Sequence, residues 1–429
     1  MLAAGCAVGL GNVWRFPFVV GQNGGAVFVL LYLVFLGLFG FPLLTAELAE
    51  GRGAQSGIAS AMRKLAPSRL AARWGVAGTV IFAGNFLLMI YYTDVAGWLL
   101  RYTSGYAAPA LMPQGASVAE VFGAVVADKP SGTLYMALAV AIAAVTCMGG
   151  VVKSVERITK WMMIALLAML VVLAAKAVLL PGAAEGIRFY LVPDVSHFAA
   201  HSFKSIFDAM GQAFFTLSLG VGCMAIFGSY IGKEHSLAKE ALWIIVIDTF
   251  VAFMAGLVIF PLCAAYDVDV TGGPGLIFMA LPSAFAKMPG GAVWGFIFFL
   301  FLSFAALTTV IAVFECLIGG LVDLTGKGRR LIAALVGLGV IAASLPCVLW
   351  DGVLDWEDFV FSNLWLPLGA FASCVFCTRE IGWGWRRFRV EASKGDGARF
   401  PWWFRPVMRY FIPICILLII LMGLYDKVK

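Results

Sequence analysis

The chain has 429 residues, of which 62% are hydrophobic and only 13% are charged, and its formal net charge is +6. Soluble domains have roughly 45–50% apolar and about 25% charged residues, so this composition excludes a soluble protein. The apolar runs are spread evenly, which predicts a single helical transmembrane domain over residues 1–429. The alternating ten-residue segments typical of membrane barrels are absent from the sequence.

Eleven stretches are long and apolar enough to cross a bilayer, which takes about 20 residues. They cover approximately residues 1–22, 25–51, 74–103, 132–150, 158–180, 202–230, 238–265, 290–322, 329–349, 358–378 and 406–425, here called spans 1 to 11. Residues 56–66 are predicted to form a short interfacial helix. Residues 271–289, which are rich in Gly and Pro, are predicted to form a bent, helical, non-spanning loop.

The positions of Lys and Arg predict the orientation, because cytoplasmic loops carry an excess of these residues. With the start of span 1 inside, most of the 30 Lys and Arg residues fall in cytoplasmic loops, and the acidic residues Asp351, Asp355, Glu357 and Asp358 fall outside. We therefore expect a multi-pass protein of the cell inner (plasma) membrane with a cytoplasmic N-terminus. The net positive charge follows this pattern and does not indicate nucleic-acid binding.

Gly5, Gly9 and Gly11 predict a break in the middle of span 1. Gly costs about 1 kcal/mol per residue in a helix relative to Ala, so unwinding is cheap there. In lipid, an unwound backbone is tolerated only where it is buried in protein or lines a cavity. The spacing of Gly5 and Gly9 fits equally well a continuous helix that packs closely against a neighbour.

Span 6 contains a second such segment, residues 217–222, in which small residues and Gly alternate. Each segment begins a block of five spans, which predicts repeat one over about 1–180 and repeat two over about 200–378, followed by an extra span at about 406–425. The predicted fold class is an all-α polytopic membrane protein with an inverted five-plus-five helix repeat and discontinuous helices 1 and 6. Interrupted segments at corresponding positions of two halves indicate the binding site of a transporter.

Ionisable residues within the spans are few, and such residues are functional by default. Asp248 in span 7 has no basic neighbour in the sequence, so its carboxylate would take up a proton or a cation such as Na⁺. Thr308 and Thr309 offer two adjacent hydroxyls in span 8, although Thr often bonds to its own helix. Asp94 in span 3 is a further candidate, and Glu47 is expected only to anchor span 2 at the interface.

The sequence does not indicate an enzyme. The sequence has no nucleophile–base pair or phosphate-binding loop, and its nine Cys residues are scattered, mostly within apolar runs. We therefore expect the Cys residues to be small buried side chains.

Residues 5–17 resemble the first-helix signature of the neurotransmitter:sodium symporters, and residues 214–220 resemble their sixth-helix signature. The resemblance extends over essentially the whole chain, which is similar to bacterial amino-acid:sodium symporters of the eleven-span type. It implies import of an α-amino acid by alternating access, with Na⁺ as the coupling ion at two sites and no other cofactor.

The resemblance also implies which residues bind the ions. The first Na⁺ would be held by the substrate carboxylate and by Ala7, Asn12, Thr216 and Asp248. The second would be held by carbonyls and hydroxyls of Gly5, Val8, Ala305, Thr308 and Thr309.

The implied substrate site lies at the same two breaks. The substrate carboxylate would meet the N–H groups of Leu10 and Gly11 and the Tyr92 hydroxyl. The substrate ammonium would meet carbonyls of Ala7 and of residues 215–218, among which Phe215, Thr216 and Ser218 belong to the predicted site. The side-chain pocket would be lined by Leu88, Val221, Thr309 and Val313. The external gate would be Phe215 over Tyr92, followed by Arg15 with Asp358.

Three departures from relatives refine the expectation. Gly9 stands where monoamine transporters have Asp, so the substrate carboxylate must complete the first sodium site, which favours an α-amino acid. Asp248 aligns with Asn, and Ala252 with the chloride-binding Ser, of chloride-dependent relatives, which predicts chloride-independent transport. Val221 aligns with a larger residue in some relatives, which suggests a roomy pocket for a large hydrophobic or aromatic side chain, although such a difference is worth only about 1–3 kcal/mol.

Family members also carry a cytoplasmic N-terminal tail with Arg and Trp, whereas Met1 falls within span 1. Asp323 and Tyr230, which would contact that tail, are present, so we expect the start to be misassigned or truncated. Two alternative functions stay open. One is a proton-coupled carrier in which Asp248 or Asp94 titrates, and the other is a transport-deficient amino-acid sensor or binding protein of the membrane. The oligomeric state is not indicated.

Overall fold

The computed structural model describes residues 2–111, 117–150, 154–269 and 276–428. Within these residues the chain is helical and forms no strand beyond a single bridge between His235 and Asp396. Nine helices are long and apolar enough to cross a membrane: Ala26–Ala54, Ser68–Ala107, Lys129–Met148, Glu156–Val178, Leu237–Tyr266, Gly291–Thr325, Arg329–Leu349, Val353–Thr378 and Phe404–Tyr425. They correspond to spans 2 to 5 and 7 to 11.

The two remaining spans are interrupted, as the glycine pattern predicts. Span 1 consists of Leu2–Ala7, a wide turn at Gly11–Arg15, and Phe16–Gln22. Span 6 consists of Val195–Thr216 and Cys223–Tyr230, with residues 217–222 non-helical between them. The all-α fold with discontinuous helices 1 and 6 and one extra C-terminal span is therefore confirmed.

The helix ends differ from the predicted ones where polar residues continue a helix beyond its apolar part. Span 3 extends over Ser68–Ala107, and span 10 begins at Val353. Asp355 and Glu357 therefore lie within a helix, because a helix that leaves the apolar layer can expose carboxylates to water without ending.

Short helices connect the spans. Ile58–Leu65 follows span 2 within the predicted interfacial segment. Of the predicted loop at 271–289, residues 271–275 lie outside the described residues, and the rest is helical over Leu276–Ala280 and Leu281–Lys287. The other connecting helices are Val118–Ala127, Ala183–Leu191 and Trp385–Ala392.

Prolines explain where several helices widen into π-helical turns. Five such turns each end two residues before a proline, namely those preceding Pro17, Pro42, Pro282, Pro367 and Pro413. Proline has no N–H to donate and its ring crowds the preceding turn, so the helix accommodates it by widening there. One of these turns, Gly11–Arg15, follows directly on the break in span 1 and so shapes the site.

Span 8 is the central helix of the bundle. In its most apolar part 78% of the residues are buried inside the protein, against 22% in span 11. The backbone around Thr308 and Thr309 is therefore held on all sides, whereas span 11 lies at the periphery.

Spans 2 and 6 approach so closely that only Gly fits between their backbones. A Cβ atom at Gly51 would lie 1.7 Å from the carbonyl oxygen of Ala225, and one at Gly228 would lie 2.2 Å from that of Leu48. Small residues at helix crossings allow such contact in membranes. The second half of span 6 is thereby fixed against span 2.

We expect Gly51→Ala to lower the free energy of unfolding by about 1–3 kcal/mol, because the added methyl group overpacks this crossing. Gly37→Ala in the same span is the matched control, since a Cβ there has no atom within 4 Å. Thermal unfolding of both purified variants measures the effect. Equal melting temperatures would show that the crossing is not tightly packed.

Candidate functional site

The break in span 1 turns backbone N–H groups towards side chains. The Gly9 N–H donates to Asn12 Oδ1 at 3.0 Å, and the Leu10 N–H donates to the Tyr92 hydroxyl at 3.2 Å. A Cβ at Gly9 would lie 2.5 Å from Thr309 Oγ1 and 3.0 Å from the Tyr92 hydroxyl. Glycine is therefore required at this position by close approach.

The break in span 6 has an unusual backbone that is stabilised from two other spans. Ser218, Gly220 and Gly222 have φ of 50°, 97° and 67°, in the left-handed region that favours glycine. The Gly220 N–H donates to Glu47 Oε1 at 2.6 Å, and Asn85 Nδ2 donates to the carbonyl of Val221 at 2.7 Å.

Glu47 was expected only to anchor span 2, and this expectation is wrong. Its side chain is buried, and it supports the break in span 6 because the freed N–H of Gly220 needs an acceptor. Asn85 was not predicted either. A carboxylate and an amide within apolar runs are the sequence signals that could have identified both residues.

The predicted residues of the first sodium site lie together. Asn12 Nδ2 donates to Asp248 Oδ1 at 2.8 Å and to the Asp248 carbonyl at 3.0 Å, and it lies 3.2 Å from Thr216 Oγ1. Thr216 donates to Asp248 Oδ2 at 2.9 Å. All three residues are buried. A buried carboxylate without a basic partner, surrounded by amide and hydroxyl groups, is suited to bind a hard cation.

Two further polar groups belong to this cluster. The Tyr32 hydroxyl lies beside the Asp248 carboxylate without a well-formed hydrogen bond. Gln212 donates to the Gly11 carbonyl at 3.1 Å, while its Oε1 is buried without a partner. Ala252 is fully buried and brings no polar group.

The predicted residues of the second sodium site also converge. Thr309 Oγ1 lies 3.4 Å from the Val8 carbonyl and 3.3 Å from that of Ala305, and Thr308 donates to Ala305 at 2.9 Å. Gly5 packs here, since a Cβ on it would lie 3.9 Å from Thr308 Cβ.

Thr159 of span 5 contacts the same region, and sequence reasoning missed it. A Cβ at Gly5 would lie 2.7 Å from Thr159 Cγ2, and the Thr159 hydroxyl is buried with no hydrogen-bond partner in the described part of the chain. The polar groups of the second cluster are thus neutral oxygens, which suit a hard monovalent cation. Among the described residues there is no group of three His, Cys, Asp or Glu side chains that could hold a metal ion.

A small cavity of about 20 Å³, here called the central cavity, lies between the two breaks. Of the eleven residues predicted for the substrate site, all except two line it: Ala7, Leu10, Gly11, Leu88, Tyr92, Phe215, Thr216, Ser218 and Thr309. Gly9, which the sequence indicates as the position that favours an α-amino acid, also lines the cavity, and sequence reasoning missed Cys6, Phe361 and Leu366, which complete the wall. Phe361 and Leu366 belong to span 10 and carry no sequence signal beyond their apolar character.

Val221 and Val313 do not line this cavity, so their contact with the substrate side chain stays a prediction. Val221 lies in the break of span 6, and its side chain faces Gly84 of span 3, where a Cβ would lie 3.3 Å from Val221 Cγ1. Val313 is fully buried one helical turn beyond Thr309, outside the cavity. The cavity is also small, so the roomy pocket that the sequence suggests is not formed in this structure.

A larger cavity of about 240 Å³, here called the outer cavity, adjoins the central one and shares Leu10, Tyr92 and Phe215 with it. The gate residues line it, but Arg15 and Asp358 form no ion pair within 4.0 Å in the described part of the chain. The Arg15 guanidinium instead lies 4.2 Å from the centre of the Phe215 ring, and Asp358 accepts from Ser362 at 3.0 Å. Phe215 therefore separates the two cavities.

Known proteins resemble this chain over nearly its whole length. The model of the sodium:neurotransmitter symporter family matches residues 1–111 and 124–428. The uncharacterized sodium-dependent transporter YhdH of Bacillus subtilis is 33% identical over 98% of this chain and 95% of its own. An uncharacterized sodium-dependent transporter of Haemophilus influenzae is 31% identical over 99% and 96%. The crystal structure of MhsT in complex with L-phenylalanine superposes with a TM-score of 0.86 at 33% identity, covering 98% of this chain and 97% of that one.

We expect Thr308→Val to raise the Na⁺ concentration needed for half-maximal thermal stabilisation about tenfold or more, because it removes one oxygen from the second cluster without changing its shape. Thr79→Val is the control, since Thr79 likewise bonds to its own helix but lies on an exposed face. A Na⁺ titration of melting temperature, with K⁺ keeping the ionic strength constant, measures the effect. The same midpoint in both variants would argue against the second site.

Proposed function

Because the chain belongs to the sodium:neurotransmitter symporter family, and is therefore a sodium-dependent secondary transporter and not an enzyme, we propose that it imports an α-amino acid with a large hydrophobic or aromatic side chain. The observation that carries this proposal is the cluster of Asn12, Thr216 and Asp248 beside the central cavity, with Gly9 at its edge.

Coupling follows from where the substrate carboxylate would bind. We propose that it meets the Leu10 and Gly11 N–H groups and the Tyr92 hydroxyl, and that it completes the coordination of the first Na⁺. The Leu10 N–H and Tyr92 already lie 3.2 Å apart, so both can reach one carboxylate. An ion and a substrate that are ligands of each other raise each other's affinity by the same factor.

The choice of an amino acid rests on Gly9 and on the cavity wall. Gly9 has no carboxylate, and a longer side chain there would meet Thr309 and Tyr92, so the carboxylate that completes the first sodium site beside Asp248 comes from the substrate. Leu88, Phe361 and Leu366 give the wall an apolar character. The similarity to MhsT, which was crystallised with L-phenylalanine, supports the same class.

The central cavity has room for about one water molecule, so binding requires its side chains to move apart. Phe215 lies between the central and outer cavities and contacts Arg15 on its outer side. We propose that Phe215 moves outwards to admit the substrate and then closes over it.

Chloride independence is proposed on the charge of Asp248. Its carboxylate is buried among Asn12, Thr216 and Tyr32, and Ala252 offers no hydroxyl to an anion. A fixed negative charge at this point supplies what a bound chloride would bring. The sodium- and chloride-dependent GABA transporter 2 of Homo sapiens, at 28% identity, shows that chloride use occurs among the relatives.

We further propose how the protein works in the membrane. Two repeats, residues 1–180 and 200–378, form one transport domain in the inner (plasma) membrane with the N-terminus cytoplasmic, and span 11 is accessory. Spans 1, 2, 6 and 7 move against the rest to expose the central cavity alternately to the two sides. The membrane potential adds about 2.3 kcal/mol per charge per 100 mV to uptake.

We expect proteoliposomes to accumulate L-phenylalanine with an inward Na⁺ gradient, and the rate to stay the same when gluconate replaces chloride. Loss of uptake in gluconate would contradict chloride independence. Uptake driven by acid pH without Na⁺ would favour the proton-coupled alternative. Sodium-dependent binding without any accumulation would favour the sensor alternative.

We expect L-phenylalanine to lower the Na⁺ concentration needed for half-maximal stabilisation, and phenethylamine to leave it unchanged, because the amine lacks the carboxylate that completes the first sodium site. Asp248→Asn is expected to weaken the effect of L-phenylalanine about tenfold or more, since it removes the charged ligand. The matched control is Glu120→Gln, because Glu120 is exposed and distant from both breaks. An equal effect of amine and amino acid on the Na⁺ midpoint would overturn the proposed coupling.

A further inference from the structure

A third cavity, of about 340 Å³, lies beside the outer cavity and is here called the side cavity. The two share Trp14, Leu354 and Asp355, but the side cavity extends away from the central site, between span 3 and the residues that precede span 10. Its volume is within the range of ligand-binding pockets, about 300–1,000 Å³. It is thus a separate space with room for a small molecule.

Asp94 of span 3 lines the side cavity and has no role in the transport site. The residue is only 1% exposed, and its Oδ1 is buried with no hydrogen-bond partner among the residues that the structure describes. A buried carboxylate without a partner is costly in a medium of low dielectric. A cation that enters the cavity would remove this cost.

The nearest basic side chains are engaged elsewhere. Arg101, two turns further along the same face of span 3, binds Asp128 at 2.9 Å and the Val125 carbonyl at 3.1 Å. Lys129 lines the side cavity, but its Nζ lies 3.1 Å from Asp351 Oδ1. Within the described residues, no Lys or Arg lies within 4.0 Å of Asp94.

The residues that line the side cavity determine which kind of cation it can bind. Four aromatic side chains line the side cavity: Trp14, Trp98, Phe122 and Trp350. Aromatic faces attract organic cations and pack against an apolar body, whereas Na⁺ requires several oxygens at short distance. Besides Asp94, two acidic residues line the cavity, Asp351 and Asp355, of which Asp351 is paired with Lys129. A ligand carboxylate would therefore meet repulsion.

From this geometry we propose that the side cavity is a second binding site, which takes a small primary amine with an aromatic or apolar body and no carboxylate. The ammonium group binds Asp94, and the body of the ligand packs between the tryptophans. Binding here requires no Na⁺, because none of the residues of either sodium cluster lines the cavity. The site is distinct from the transport site in both its ligand and its ion requirement.

Calorimetric titration of phenethylamine into the purified full chain in lipid nanodiscs, in K⁺ buffer without Na⁺, tests the proposal. We expect wild-type protein to bind, and Asp94→Asn, which keeps the side-chain shape, to bind about tenfold more weakly or worse. Glu120→Gln removes a carboxylate outside the cavity and is expected to keep the wild-type affinity. The neutral analogue 2-phenylethanol is expected not to bind.

A second variant keeps the test independent of folding at Asp94. Trp350 lines the cavity yet is 62% exposed, so Trp350→Ala is expected to fold and to bind about threefold more weakly or worse. Absence of binding by the wild type, or equal binding by both variants and wild type, would overturn the proposal. Loss of binding in Asp358→Asn with binding retained in Asp94→Asn would place the amine in the outer cavity instead and would overturn it too. Since the titration contains no Na⁺ and no amino acid, its result is independent of whether the proposed transport function holds.

Discussion

The structure depends on how the unwound backbone of spans 1 and 6 finds hydrogen-bond partners inside an apolar bundle of helices. Each break leaves N–H and C=O groups that cost several kcal/mol if they stay unpaired in an apolar medium. The partners come from other spans: Tyr92 for Leu10, Glu47 for Gly220, and Asn85 for Val221. The breaks in spans 1 and 6 thus explain why spans 2 and 3 carry polar side chains at these positions. The proposed binding site is the space between these two breaks.

The same requirement explains the chemistry of the two ion clusters. Carbonyls released from a helix and hydroxyls of Thr are neutral oxygens, so a cluster built from them binds a monovalent cation without a large excess of charge. Asp248 is the exception in this set, and it lies where the substrate carboxylate would add a second negative charge. The charges of the proposed Na⁺ and of the proposed substrate carboxylate thus compensate each other within one buried volume. Because most groups of the two clusters are uncharged, dissociation of one ligand weakens the binding of the other, and both can be released.

The sequence allowed the interrupted helices to be predicted because a requirement for Gly shows directly as Gly, at positions 9, 220 and 222. It also allowed Asn12, Thr216 and Asp248 to be grouped, since polar residues in apolar spans are conspicuous and the family resemblance relates them. It could not place Val221, Phe361 or Leu366. Whether an apolar side chain faces a cavity or a neighbouring helix depends on the rotation of each helix, and at a break the helical period no longer predicts that rotation. Glu47 was misjudged for a related reason, because its partner is a backbone group whose freedom depends on a distant break.

The crossing of spans 2 and 6 has a mechanical consequence. Gly51 lies against the backbone of Ala225, and Gly228 lies against that of Leu48, with no side chain between them. Side chains act as compliant spacers, because they can change rotamer while the backbones shift; here there are none to do so. We therefore expect the second half of span 6 and the adjoining part of span 2 to move as one rigid body. Glu47 belongs to the same stretch of span 2, so in the proposed movement of spans 1, 2, 6 and 7 the bent backbone of span 6 would keep its acceptor.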